Sequence, residues 1–138
     1  MFIEHEGSIT CIYTQKNIYP HEQYALDHFV PWSFTLSNSM WNLLPIDSNI
    51  NSSKSNNLPS VDFLKPFSKL QRKALTFWYN SNFDDKDKKN IMEDYLTIHD
   101  SVPELVNMSE DKFYDVFRKT ISPMLQIAEN SGFKIWQQ

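Results

Sequence analysis

The sequence contains very little cysteine and glycine. Cys11 is the single cysteine among 138 residues, so no disulfide can form within the chain. A reducing compartment is therefore the expected setting. Only two glycines are present, whereas 41% of the residues are hydrophobic and 14% are aromatic. The chain thus has enough apolar material to fold around a core.

Membrane and export signals are also missing. No apolar run approaches the roughly 20 residues that a membrane-spanning helix needs. The first residues, MFIEHEGSIT, lack a basic stretch followed by an apolar one, so we expect no signal peptide. Together with the lone cysteine, these absences favour a cytoplasmic location.

The chain has no excess of positive charge. Its formal net charge is −4, whereas proteins that hold nucleic acid through their overall field are normally basic, because they replace the counterions of the phosphates. This charge disfavours tight binding of nucleic acid by the chain alone. Such binding would need a local basic patch, or other domains or subunits that supply target recognition.

The N-terminal part of the sequence has short segments of β type. Residues 8–19 alternate and carry β-branched and aromatic side chains, which predicts a short hairpin. Residues 24–31 predict a strand that must end by Pro31, because proline has no N–H group for a ladder. A second short strand is predicted over residues 41–46, and residues 32–40 are polar and irregular.

The stretch 51–58, NSSKSNNL, consists mostly of asparagine and serine. By composition alone this segment is typical of a linker. Asparagine and serine also cap the N-termini of helices, so a short helix that begins at residues 49–52 and ends before Pro59 is compatible as well. Composition leaves both alternatives open.

From residue 61 onward the pattern is helical. Apolar residues recur there at spacings of three and four: Phe63, Leu64, Phe67, Leu70, Ala74, Leu75 and Trp78. A second helix is predicted over residues 84–97, and residues 101–104 resemble a capping box. A long last helix is predicted over residues 110–129, with a kink near Pro123.

Three polar residues offer the chemistry of phosphodiester hydrolysis. This reaction needs a water made nucleophilic and a divalent cation beside the phosphate. A neutral histidine such as His28 is available as a base near neutral pH. Asp27 offers a hard anionic oxygen and Asn51 a neutral one. Two such ligands leave most positions of an octahedral Mg²⁺ open for water and phosphate oxygens.

The adjacency of Asp27 and His28 raises a geometric objection. Neighbouring residues on a regular strand point to opposite faces of the sheet. The two side chains should therefore share a site only if the strand frays or bends at this point. Pro31 follows three residues later and favours an early end of the strand.

Residues 27–34 (DHFVPWSF), 41–43 (WNL) and 51–59 (NSSKSNNLP) together resemble the HNH endonuclease signature, including that of the HNH domain of RNA-guided CRISPR effectors. The resemblance implies an α+β fold. An N-terminal β-hairpin and a ββα-metal finger would form a nuclease core over residues 1–59. A C-terminal helical subdomain over residues 60–138 would pack on it.

The resemblance also implies a set of site residues. Asp27 and Asn51 would hold one divalent ion, and His28 would be the general base. Asn42 and Lys54 would complete the catalytic set: Asn42 holds the loop in place, and Lys54 could face the phosphate.

The sequence departs from the family at the positions of a structural zinc site. Many members hold a zinc ion with two Cys-x-x-Cys pairs, and the corresponding residues here are Cys11, Thr14, Asp47 and Ile50. Because only one of them is cysteine, no structural zinc is expected, and core packing must replace it. The amide of Asn51, where the family name has histidine, favours Mg²⁺ or Mn²⁺ over softer metals.

Further along the chain, four basic residues share one face of the predicted helix: Lys65, Lys69, Arg72 and Lys73. This face is either solvated or a track for the nucleic-acid backbone, and the sequence leaves the two open. The tryptophans are predicted to lie in the core rather than to stack on bases: Trp32, Trp41, Trp78 and Trp136.

The resemblance implies an endonuclease that hydrolyses DNA and leaves a 5′-phosphate and a 3′-hydroxyl, with defence of bacteria against foreign DNA as a common setting. One alternative is a retired HNH fold that serves as a binding or assembly module, which the negative charge and the missing zinc site favour. The retained acid, base and amide favour the enzyme. A ribonuclease is a further alternative.

Overall fold

The computed structural model describes residues 2–82 and 85–137 and has an α+β fold, as expected. The helices of these residues are α1 (Phe2–Glu6), α2 (Trp32–Thr35), α3 (Ser48–Lys54), α4 (Leu64–Tyr79), α5 (Asp85–Asp94), α6 (Val102–Asn107) and α7 (Glu110–Asn130). The strands are β1 (Ile9–Thr10), β2 (Asn17–Ile18), β3 (Ala25–His28) and β4 (Leu43–Ile46). Short 3-10 turns lie at Met40–Asn42, Val61–Phe63 and Tyr95–Thr97.

The predicted start of the second helix, at residue 84, lies outside the described residues. Among the helices of 2–82 and 85–137, none has the length and apolar character that crossing a membrane requires.

The predicted N-terminal hairpin is confirmed, although its strands are only two residues long. β1 and β2 pair antiparallel, with Ile9 opposite Ile18, and both isoleucines are buried. Cys11 N–H donates to the carbonyl of Lys16 at 2.8 Å, and Gln15 adopts a φ of 65°, which lets the chain reverse.

β3 and β4 form a second antiparallel ribbon, in which Asp27 lies opposite Leu44 and His28 opposite Leu43. Within β3 the alternation is regular, because Leu26 is 63% exposed and Asp27 only 6%. Asp27 and His28 both pair with β4, so the strand does not fray between them, and only the alternative of a bend remains. The strand ends at His28, and a bend follows directly.

Residues 32–40 are less irregular than their composition indicates, because α2 begins at Trp32. Trp32 is 47% exposed, so the prediction that it belongs to the core is wrong. One turn of helix directly after a proline at its N-cap gives its first residue little to pack against. The other three tryptophans are buried as predicted: Trp41, Trp78 and Trp136.

The first half of the asparagine- and serine-rich stretch, residues 51–54, forms the C-terminal half of α3, so the linker alternative is wrong for these residues. The carboxylate of Asp47 accepts a hydrogen bond from the N–H of Asn49 at 3.0 Å and caps the helix. The helix ends at Lys54, and its C-cap Ser55 has a φ of 44°. β3, β4 and α3 thus follow one another in the order strand, strand, helix.

The helical half follows its apolar pattern closely. α4 buries Leu64, Phe67, Leu75 and Trp78, and it packs along α7. The predicted capping box is present, because the hydroxyl of Ser101 accepts a hydrogen bond from the N–H of Glu104 at 3.3 Å. α7 continues through Pro123 as one element.

A row of aromatic rings joins the β ribbon to the helices. The ring of Phe29, just after β3, stacks on Phe67 of α4 at 4.1 Å and 8°. Phe67 in turn meets Phe117 of α7 edge-on at 5.6 Å. Such buried aromatic contacts stabilise beyond the area they bury. They cross the predicted boundary at residue 60, and the division into two separate domains stays a prediction.

The C-terminal segment returns to the end of α3. Leu58 N–H donates to the carbonyl of Lys134 at 2.8 Å, and Trp136 N–H donates to the carbonyl of Leu58 at 2.7 Å. The indole N–H of Trp136 donates to the hydroxyl of Ser53 at 2.9 Å, and its ring meets Tyr13 edge-on. The tail therefore links α3 to the first hairpin.

Candidate active site

The buried carboxylate of Asp27 faces the ammonium of Lys54. Lys54 Nζ lies 2.9 Å from Asp27 Oδ2, and neither side chain has more than slight contact with solvent. Lys54 also donates to the carbonyl of His28 at 3.0 Å and to that of Phe29 at 3.5 Å. Lys54 therefore links α3 to the end of β3 through one ion pair and two hydrogen bonds to backbone carbonyls.

Burial and the charge of the partner shift the pKa values of Asp27 and Lys54 in opposite directions. Burial raises the pKa of Asp27, and the nearby Lys54 ammonium and His28 only partly counteract it. Burial likewise lowers the pKa of Lys54, against the attraction of Asp27. Burial also raises the pKa of Tyr13 well above its ordinary value, and the carboxylate of Asp27 contributes to that rise. The site is thus a poorly solvated environment around one carboxylate.

The position of Lys54 does not fit the expected contact with a phosphate. Its side chain is fully buried, and its ammonium is turned toward Asp27 and the backbone. The physical reason is the set of partners at the C-terminal end of α3: Lys54 turns inward to the carboxylate of Asp27 and to the carbonyls of His28 and Phe29.

Asn42 clamps the bend that follows β3. Its Oδ1 accepts a hydrogen bond from the N–H of Val30 at 2.8 Å, and its Nδ2 donates to the carbonyl of Val30 at 2.8 Å. The Phe29 N–H donates to the carbonyl of Asn42 at 2.9 Å. Asn42 is fully buried, so its side chain serves the shape of the loop rather than any contact with a substrate.

His28 is partly buried, and its ring has one near polar neighbour on the loop beyond the bend. Its Nε2 lies 2.8 Å from Oδ1 of Asn38. Asn38 is the site residue that the sequence did not indicate. It lies in a polar stretch that also contains Ser37 and Ser39, and nothing in their order separates it from its neighbours.

The structure brings Asp27, His28, Asn42 and Lys54 together around the end of β3, and Asn51 lies on α3 three residues before Lys54, with its side chain exposed. The donor set fits a hard divalent ion. Lys54 faces Oδ2 of Asp27, the other carboxylate oxygen is a possible ligand, and Asn51 supplies an amide oxygen. Mg²⁺ bound by one carboxylate and otherwise by neutral oxygens and water is common in proteins.

Cys11 and Asp47, two of the residues that correspond by resemblance to the family's zinc ligands, lie in contact. Asp47 N–H donates to the sulfur of Cys11 at 3.4 Å, and Cys11 is fully buried. Within residues 2–82 and 85–137, three side chains of metal-binding type converge only at His99, Asp100 and Glu104, where His99 Nε2 lies 2.7 Å from a carboxylate oxygen of Glu104.

The basic face of α4 is turned largely toward α6 and α7. Lys65 lies over the ring of Tyr114, and Lys69 lies 3.9 Å from Glu110. Arg72 Nη2 donates to the carbonyl of Met108 at 3.0 Å. Lys73 is exposed. Lys65 and Lys69 are exposed as well, so the choice between a solvated face and a track for nucleic acid stays a prediction.

Comparison with known proteins supports the family to which the motifs point. No curated protein and no solved structure shows a significant match to the chain. The family described as HNH endonuclease matches residues 11–60, which include β1 to β4, α2 and α3. The family acts on nucleic acid as a nuclease. Residues 11–60 are therefore similar to the HNH endonuclease family.

Proposed function

We propose that this protein is a Mg²⁺-dependent endonuclease that hydrolyses DNA with the residues at the end of β3. The observation that carries the proposal is the buried carboxylate of Asp27 next to His28, at the end of one strand. A buried ion pair such as Asp27–Lys54 rarely stabilises a fold more than apolar residues of the same size. A function at this point explains its presence better than stability does.

His28 is the general base of this proposal. Its ring is partly exposed at the strand end, where a water molecule can approach it. A neutral imidazole can take a proton from that water while the water oxygen attacks phosphorus. Manganese is an acceptable substitute for magnesium.

Asp27 and Asn51 would hold the divalent ion. The bound ion would neutralise charge on the phosphate and on the leaving oxygen. The role of Lys54 follows from its contacts: it favours the charged form of Asp27 and fixes Oδ2 of the carboxylate against β3, so that the ion would be bound by the other oxygen, Oδ1. Asn42 fixes the bend beside His28.

One observation favours a second candidate, a retired nuclease that acts as a binding or assembly module. The ammonium of Lys54 already supplies a positive charge to Asp27 at 2.9 Å. A protein that needs no metal would keep such a pair. Divalent-metal binding in solution separates the two candidates, because the retired module would not bind the ion through Asp27.

The proposed activity is tested by incubation of the purified chain with supercoiled plasmid in Mg²⁺ and in EDTA, with single-stranded RNA of similar length in parallel. We expect nicking of DNA in Mg²⁺ that stops in EDTA, with little cleavage of RNA. Cleavage of RNA alone would make the protein a ribonuclease. Cleavage of neither substrate, at protein concentrations well above the DNA, would favour the retired module.

A further inference from the structure

In the contact between His28 and Asn38, the chemistry of the amide oxygen determines which side chain donates the hydrogen bond. An amide oxygen carries no hydrogen, so Asn38 Oδ1 can only accept, at its 2.8 Å distance from His28 Nε2. A neutral imidazole has one protonated nitrogen and one lone pair. If Nε2 carries the hydrogen that Asn38 accepts, then Nδ1 carries the lone pair.

The segment that carries Asn38 is fixed on both sides. The N–H of Leu36 donates to the carbonyl of Trp32 at 2.7 Å, and the N–H of Asn42 donates to the carbonyl of Ser39 at 3.0 Å. Leu36 has a φ of 55°, a left-handed conformation that is unfavourable for leucine, and its side chain is 68% exposed. Leu36 is the C-cap of α2, and a left-handed residue there ends the helix and turns the chain toward Asn38.

We propose that Asn38 is a positioning residue for His28: it accepts a hydrogen bond from Nε2–H and thereby leaves Nδ1 free to take a proton from the attacking water. This inference rests on the proposed function. In the reaction, a water proton moves to Nδ1 as the water oxygen forms a bond to phosphorus. The bond from phosphorus to the 3′ oxygen breaks, and that oxygen takes a proton from solvent. The products are a 5′-phosphate and a 3′-hydroxyl, and the imidazolium returns its proton to solvent.

The ring nitrogens of His28 can be observed directly by ¹⁵N NMR of the full chain labelled in histidine. Spectra are recorded as the pH is raised until the ring signals stop changing, which identifies the neutral form directly. The chain has four histidines, and the His28→Ala variant identifies the signals of His28. We expect a protonated Nε2 with an N–H resonance protected from exchange with solvent, and an unprotonated Nδ1.

Three variants separate positioning from a general structural role. Asn38→Leu has nearly the same size without the acceptor, Asn38→Asp keeps an acceptor oxygen, and Asn90→Leu makes the same change at an exposed position on α5. Asn38 is itself exposed, so its replacement should leave the fold intact. We expect the protected Nε2–H signal to vanish in Asn38→Leu alone.

We also expect the same variants to differ in their rates of cleavage. Asn38→Leu should lower kcat about 10- to 100-fold at nearly unchanged KM, as loss of an orienting partner commonly does. Asn38→Asp should stay within about tenfold of the parent, because the acceptor is retained, and Asn90→Leu should match it.

The NMR result tests the positioning role of Asn38, and the cleavage result tests the proposed nuclease function. A protonated Nδ1 in the parent protein, or an Nε2–H signal unchanged in Asn38→Leu, overturns the positioning role whether or not the protein cleaves DNA. A protein with the expected NMR signature that cleaves no nucleic acid contradicts the proposed function and the catalytic use of Nδ1, and leaves only the hydrogen bond standing.

Discussion

The ammonium of Lys54 lies 2.9 Å from Oδ2 of Asp27, with side-chain exposures of 0% and 7%. This pair joins the helix that carries Asn51 to the strand that carries His28. The chain thereby gains a fixed carboxylate at the strand end, at the cost of removing two charges from water. The same contact explains why this lysine does not face solvent.

The first prediction concerns the loss of the lysine charge. Lys54→Met leaves a buried carboxylate without its partner, so we expect the free energy of unfolding to fall by about 3–5 kcal/mol. Urea denaturation followed by circular dichroism measures this change. Lys89→Met, at an exposed position on α5, should change it by less than about 0.5 kcal/mol.

A double variant checks the cause of that loss. In Asp27→Asn/Lys54→Met both charges are gone, so most of the stability lost in Lys54→Met should return. If the double variant is as unstable as the sum of its single variants, the two charges do not interact as described.

The second prediction concerns the clamp around the bend. Asn42→Asp keeps the acceptor for Val30 N–H but loses the donor to the carbonyl of Val30, and it buries a negative charge. We expect a loss of about 2–4 kcal/mol in thermal or urea unfolding. Asn107→Asp is the matched control, because Asn107 Nδ2 donates to the carbonyl of Pro103 at 2.8 Å on the exposed surface. An equal loss of stability in both variants would show that the burial of Asn42 does not determine the effect.

The third prediction concerns the tail that returns to α3. Trp136→Ala removes a buried ring and the hydrogen bond to Ser53. We expect the amides of α3 to exchange with deuterium at least about tenfold faster, with a smaller effect on the centre of α7, because α3 loses its outer contact. Hydrogen exchange with mass spectrometry measures both. Trp78→Ala, a buried tryptophan on α4, is the comparison, and an identical exchange pattern in both variants would contradict a local role for Trp136.

The fourth prediction concerns the divalent ion. Asn51 is exposed on α3, so Asn51→Ala should fold normally yet raise the dissociation constant for Mn²⁺ at least about tenfold, equivalent to about 1.4 kcal/mol. Calorimetric titration measures it, with Asn56→Ala as a control at another exposed asparagine nearby. Unchanged Mn²⁺ affinity in Asn51→Ala would remove Asn51 from the ion site.

Local signals in the sequence predicted much of the fold. The capping box at Ser101 and the apolar spacing of α7 depend on residues within a few positions of each other, so a sequence pattern contains them. The first hairpin follows from alternation over residues 8–19. α2 was missed because one turn of helix after Pro31 has no repeat from which a period could be recognised.

The residues of the candidate site could be predicted from the sequence, whereas the contacts between them could not. The motif indicates Asp27, His28 and Asn51 because their order and spacing are local properties. The burial of Lys54 was not predictable, since lysine is rarely buried and its partner lies on another element. The contact between His28 and Asn38 likewise arises only when the loop after α2 folds back.

The most direct test of the central claim is the single-turnover rate of plasmid nicking at saturating Mg²⁺, measured for the parent protein and for His28→Ala. We expect a rate at least about 100-fold lower for the variant, with unchanged circular dichroism and unchanged Mn²⁺ affinity, because His28 removes the proton and does not hold the ion. Equal rates for the two proteins would show that His28 is not the base and would contradict the account.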